Sequence, residues 1–300
     1  MRKSLLALAS ALFFLTTAKA QGVNKIIDVH IHCYEDNRFA YPSPVVAGCM
    51  PSKNSEDHFR DTYASLRKAN VVKAVISGSP KAVEEWMEKD KDHLFIPGIA
   101  MDSPDDFGLD PQAFEQMVKD KKIKVFGEIG TYYSGTTLTD SVWQPYLRIC
   151  EKYDIPVAVH LGGGAPETPY HGSPKARLAL SDPFLIEDVL VKYPKLRVYM
   201  MHSGEVWYEH AARMMLMYPQ LYSDLGVMLW VSPLTQSYTK SFLKQAKEAG
   251  CIDRVMFGTD QMVWPGATEK SLQFLNSLNF LTKKEKEGIL YNNAARFLRL

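Results

Sequence analysis

Eight short apolar, β-branched runs alternate with amphipathic stretches along this chain, and no other feature limits its fold so tightly. The runs fall at 25–32, 71–77, 94–100, 123–129, 155–161, 196–202, 220–226 and 254–260. Between them, apolar residues recur at helical spacing over 55–70, 81–91, 110–120, 141–153, 182–193, 205–218 and 235–249. Strands alternating with helices build a parallel sheet. Eight such units fit a closed (β/α)8 TIM barrel, for which about 250 residues is typical. An open doubly wound sheet would carry a Gly-rich phosphate turn after its first strand; here that turn reads His32-Cys33-Tyr34-Glu35-Asp36. The spacing therefore predicts one α/β barrel domain over residues 21–300. Ser55 with Glu56 and Asp57, and Asp182 before Pro183, read as helix starts, and Gly250 reads as a helix stop.

Residues 1–20 stand apart. Arg2 and Lys3 precede an apolar run from Leu5 to Leu15, and Ala18-Lys19-Ala20 supplies a small-residue cleavage site. This is the three-part pattern of a secretory signal peptide. The run is too short for a membrane span, which needs about 20 apolar residues. Cleavage after Ala20 predicts a periplasmic or secreted protein with no membrane span. Four cysteines in 300 residues cannot form a dense disulfide framework. Cys33 and Cys49 are close enough in sequence to pair, but buried free thiols are the simpler expectation.

Composition adds exclusions. With 46% hydrophobic and 23% charged residues, the chain is neither disordered nor fibrous. Its 35 basic and 34 acidic residues give a formal charge of +1, so no field for nucleic acid is evident. A small-molecule substrate is the expected partner, and nothing in the composition opposes a homo-oligomer.

A barrel places its chemistry where the strands end, on the face of the βα-loops. The first run ends Asp28-Val29-His30-Ile31-His32, the fourth Gly127-Glu128-Ile129-Gly130, the fifth Val159-His160-Leu161, the sixth Met201-His202-Ser203, and the eighth Gly258-Thr259-Asp260. Side chains alternate faces along a strand, so His30 and His32 point into the same mouth about 6.6 Å apart. Imidazoles and carboxylates together suit a borderline divalent ion such as zinc. Alternation also puts Asp28 on that face, one step deeper, as a supporting polar group. His58, His93 and His210 fall on helices or junctions and read as core or surface residues. His171 lies in a loop above the rim.

The landmarks IDVHIH, GEIG, AVHLG, MHSG and FGTDQMVW, closed by YNNAARFLRL, resemble the amidohydrolase superfamily, in particular its metal-dependent hydrolases. The resemblance covers nearly the whole chain after residue 20 and implies a terminal helix over 291–300. It further implies one metal on His30, His32 and Asp260 and a second on His160 and His202. Glu128 would bridge them in place of the carboxylated lysine of other branches. Lys124 sits four residues deeper and reads as a barrel-floor group. One or two ions are implied, zinc first and manganese as the alternative. Such an ion lowers the pKa of its water towards ~7 and polarises the scissile bond. Asp260 would carry the proton, and His202 would stabilise the developing charge where it is not a ligand.

Three functions follow from these residues. The first is an exported metal-dependent hydrolase of a small ester, lactone, amide or phosphoester. The second is a zinc-dependent decarboxylase of an aromatic or semialdehyde acid. The third, a non-catalytic ligand-binding barrel, needs none of the metal-type residues. For substrate contacts the loops offer Tyr133, Trp264 and His171, with Arg177 as a cation for a carboxylate. Gly162, Gly163 and Gly164 either let a ligand approach the backbone or simply form a turn.

Overall fold

The computed structural model describes residues 25–300, so the expected leader at 1–20 lies outside the described residues. Seven parallel strands form one sheet in chain order: β1 (Ile26–His32), β2 (Val71–Gly78), β3 (Phe95–Met101), β4 (Val125–Ile129), β5 (Val157–His160), β6 (Val198–Met201) and β7 (Leu221–Ser223). The eighth predicted run is not a regular strand. Residues 255–260 instead bond to both edges of the curled sheet. The Met256 N–H donates to Ser223 O (2.8 Å), the Val29 N–H to Phe257 O (3.0 Å), and the Asp260 N–H to His30 O (2.8 Å). At Asp260 the backbone takes φ +45°, outside the extended region that a ladder requires. The result is a TIM-barrel-like α/β fold.

Helices sheathe the outside, most of them near their expected positions. The first, Ser55–Lys68, is capped by Asn54 rather than Ser55, the Asn54 side chain accepting from the Asp57 N–H. Asp182 caps as expected, but its segment splits into a 3-10 turn, Pro183–Ile186, and a short helix, Glu187–Lys192. The helix expected from 205 begins only at Tyr208, after a kinked turn over His202–Trp207. Helix Pro233–Glu248 stops before Gly250, whose φ is +70°. Helix Ala267–Ser277 was not foreseen, whereas the terminal helix was and forms over Asn293–Leu298. Among the described residues, no helix is long and apolar enough to cross a membrane. All four cysteines are buried and unpaired.

The apolar residues sort into an inner and an outer layer. Ile27, Val29, Val75, Val125 and Tyr199 point into the barrel and meet Ala294 and Phe297 of the terminal helix, which plugs its floor. Ile26, Ile31, Phe126 and Ile129 face outward onto the helices. Strict alternation cannot give this sorting, because Val29 and His30 would then face opposite ways. The pairing register of β1 shifts between Asp28 and Ile31, and that of β4 between Phe126 and Ile129. Each irregularity works as a bulge, turning two successive residues inward. Period-two reasoning about Asp28 therefore fails at this bulge. Lys124 precedes β4 and is exposed rather than set into the floor.

Candidate active site

Above the apolar layer, His30, His32, Glu128, His160, His202 and Asp260 meet at the mouth, all buried. Glu128 is the hub. Its Oε1 lies 2.5 Å from His160 Nδ1 and 3.2 Å from His202 Nε2; its Oε2 lies 2.9 Å from His32 Nε2 and 3.6 Å from His30 Nε2. Asp260 Oδ1 approaches His32 Nε2 at 3.2 Å and His30 Nε2 at 3.6 Å. Two overlapping sets, His30–His32–Asp260 and His30–Glu128–His202, have ligand atoms close enough to share an ion.

The fit to a divalent metal can be tested on atoms left without partners. His30 Nε2, His160 Nε2 and Asp260 Oδ1 are buried and lack any hydrogen bond, which is costly unless something else occupies them. The His30 ring is held through Nδ1 by Asp224 Oδ2 at 2.8 Å, which leaves Nε2 as the atom that would face an ion at the centre. His202 behaves alike, with Nδ1 3.2 Å from Gly226 O and Nε2 turned to Glu128. The donor set fits a metal.

Electrostatics agree. Burial opposes charge on His30, but Asp260 and Asp224 outweigh it and hold the imidazole well above its ordinary value. At His32 burial is likewise overcome, by Asp260 and Glu128, and the group is pushed up to about 10. Glu128 would be raised by burial, yet the surrounding histidines hold it well below the usual carboxylate range. Burial pulls His160 below the ordinary histidine value despite Glu128. A cation would replace the protons that these groups now share.

Local backbone aims these side chains. His202 and Asp260 both adopt left-handed φ, +61° and +45°, immediately past the extended part of their segments. Gly226 must be glycine, because a Cβ there would sit 2.5 Å from His30 Nδ1. The glycines after His160 have a definite purpose too: a Cβ on Gly162 would strike Glu205 Cβ at 2.7 Å, and one on Gly164 the Tyr132 hydroxyl at 2.4 Å. The Gly163 N–H donates to the Glu205 carboxylate, pinning this loop to the one after β6.

The predicted substrate contacts scatter. Tyr133, on the short turn Thr131–Ser134, lies at the centre, its ring 5.0 Å from that of His160. Trp264 is buried against Trp230 and donates to Pro44 O at 2.9 Å, within the loop packing. His171 is exposed and paired with Glu167 at 3.0 Å. Arg177 is exposed, its guanidinium folded onto Pro174 O and Ala176 O of its own loop. His58 is buried on its helix, and His210 pairs with Asp182, both apart from the cluster. Asp28 bonds the backbone N–H groups of His30 and Thr259 and the Thr259 hydroxyl, tying β1 to the eighth segment.

Sequence reasoning missed Asp224. Beyond holding His30, it accepts from the N–H groups of His202 (2.9 Å) and Gly226 (3.0 Å), so one carboxylate orients two of the histidine-bearing segments. It is the first residue past β7, and the signal was available: the predicted strand ran on to 226 and hid it. Asp102, the first residue past β3, went unread although the expected strand stopped at 100, short of it.

Comparison with known proteins agrees with this geometry. No curated protein matches the sequence. Among solved structures, an uncharacterised TIM-barrel protein from Bordetella bronchiseptica superposes with a TM-score of 0.66 at 21% identity, covering 92% of this chain and 98% of that one. A probable 2-pyrone-4,6-dicarboxylic acid hydrolase from Acinetobacter baumannii gives 0.64 at 14%, covering 92% and 99%. A 5-carboxyvanillate decarboxylase from Novosphingobium aromaticivorans, with bound manganese, gives 0.62 at 11%, covering 93% and 97%. At these identities the likeness is one of fold. The profile of the amidohydrolase family, by contrast, matches residues 27–300, and the chain belongs to that family.

Proposed function

We propose that the protein is a metal-dependent hydrolase of a small ester, lactone, amide or phosphoester. The two oxygens of Glu128 carry this reading: Oε1 faces His160 and His202 while Oε2 faces His30 and His32, so this one carboxylate could serve both pairs of histidines as a shared ligand. His30, His32 and Asp260 would hold one ion and His160 and His202 the other, zinc being the ion best suited to these donors. A divalent ion bound there supplies Lewis acidity and an acidified water. Asp260 would serve as the base that carries a proton to the leaving group, its Oδ1 facing His30 and His32 and its Oδ2 remaining for the proton. With a single ion on His30, His32 and Asp260, His202 would be left free to stabilise the negative charge that develops on the substrate. Tyr132 and Tyr133, both against His160, would narrow access for bulk water. The contacts of 255–260 with β7 and β1 support a closed (β/α)8 frame, and the pattern at 1–20 supports export to the periplasm or beyond.

A second reading is kept because His30, His32 and Asp260 alone suffice for one ion, and a decarboxylase shares the fold. One experiment separates the two. Metal-loaded protein is offered lactones, esters and hydroxylated benzoic acids while metal content, acid release and CO2 are measured. Acid release with one to two metal ions per chain supports the hydrolase. CO2 release without hydrolysis overturns it.

A further inference from the structure

The segment between β1 and the first helix is held at several points, and two exposed side chains between them line a cavity beside His32. Tyr34 stacks on His32, the ring centroids 5.5 Å apart and nearly parallel. Glu35 accepts from Ser79 Oγ (2.6 Å) and pairs with Lys81 (2.9 Å) at the start of the second helix. Asp36 accepts from the N–H and hydroxyl of Ser55 at the start of the first. Phe39 packs on His58. Asn37 and Arg38, between these anchors, line a cavity of about 370 Å³ that opens beside His32 and is also bounded by Tyr34, Met101 and Phe107.

Arg38 is the cation of this cavity. Among the described residues no carboxylate lies within ion-pair reach of it; its guanidinium touches Ser43 Oγ at a long 3.4 Å and lies 5.5 Å from the Tyr34 ring centre. The cavity's acids are mostly committed: Glu35 to Ser79 and Lys81, and Asp106 to the N–H groups of Asp102 and Ser103. Asp102 lies by Gly130, on the Glu128 side. A positioned guanidinium without an anionic partner suits a carboxylate, which its planar fork binds through two hydrogen bonds.

We propose that this cavity is the substrate's recognition pocket, and that the substrate is a small acid whose carboxylate is held by Arg38 while its reacting bond lies beside His32. The inference rests on the mouth being the active site. Arg38 and His32 each lie 5.5 Å from the Tyr34 ring centre, so one small ligand can reach both the guanidinium and the side of the mouth that carries His32. A ring between the two would lie among Tyr34, Met101 and Phe107. Arg177, turned onto its own loop, takes no part.

The test is calorimetric binding of benzoate, isophthalate and glutarate to metal-loaded protein, with dimethyl isophthalate as the uncharged control. At least one acid binds saturably to the wild type. R38Q weakens that acid at least about tenfold while leaving the diester within about twofold; R38K recovers part of the loss, and R177Q changes nothing. Equal acid binding by R38Q and wild type overturns the proposal, as does loss of binding in R177Q alone or the absence of saturable acid binding by the wild type. No turnover is needed. A chain that binds acids through Arg38 but hydrolyses nothing refutes only the hydrolase reading. One that hydrolyses substrates with Arg38 immaterial refutes only this one.

Discussion

The two halves of the barrel interior are made from the same strands by opposite rules. In the lower half, one inward residue follows another at period two, the residues are apolar, and Phe297 and Ala294 seal the end. In the upper half, bulges in β1 and β4 and left-handed turns at His202 and Asp260 bring polar side chains inward out of sequence. Left-handed residues near the floor, such as Asn70, Lys121, Asp154 and Arg299, stand where helices end and hold no polar cluster. At the mouth even β-branched Val227 is left-handed, at φ +50°. Each such residue costs of order 1–3 kcal/mol. The lower half supplies the stability that lets the upper half hold an arrangement its local sequence disfavours.

This contrast can be broken by single substitutions. The largest effect belongs to Glu128→Gln, which removes the hub of the mouth: turnover should fall by about 10³-fold or more while the circular dichroism spectrum stays unchanged. Preserved activity would mean that Glu128 bridges nothing. Phe297→Ala should do the reverse, lowering unfolding free energy by about 3–5 kcal/mol in denaturant titrations, with activity per bound metal retained. Asp224→Asn lies between. It should weaken metal binding by about 10–100-fold, measured by competition with a chelator, because His30 and His202 lose their common support.

The smallest effect concerns His58, whose ring is boxed by Tyr34, Phe39 and Trp86. Burial holds it down at about 3, against 6.5 in the unfolded chain. A depressed histidine favours the folded state fully above pH 6.5 and progressively less below, because only the unfolded chain takes the proton. Between pH 6.5 and about 3 this term loses about 1.4 kcal/mol per pH unit. His58→Leu should flatten the acid limb of a melting-temperature profile by that amount; an unaltered limb would show that His58 does not titrate this way.

The sequence made the candidate ligands legible because each stands near the end of an apolar run, a position readable from the hydrophobic pattern. It concealed Asp224 and Asp102 because strand ends are the least certain part of such a reading, and both acids sit one residue past the true end. Bulges in β1 and β4 could not be read, since they arise from closing the sheet rather than from local preference. Arg177 reads from the sequence as a cation for a carboxylate, yet nearby carbonyls of its own loop satisfy it. The cation that faces the mouth cavity, Arg38, lay in plain view six residues after His32.

The plug formed by Ala294 and Phe297 also bears on how the molecule comes into being. A ribosome makes the barrel wall from its first strand onward, but Ala294 and Phe297, which seal the floor, come after every strand of the sheet. Until they emerge, Ile27 and Tyr199 lack their final neighbours, so the floor of the barrel closes after its wall. A late metal requirement would follow, because His30 and Asp260 lie 230 residues apart in the chain and meet only once that closure has begun.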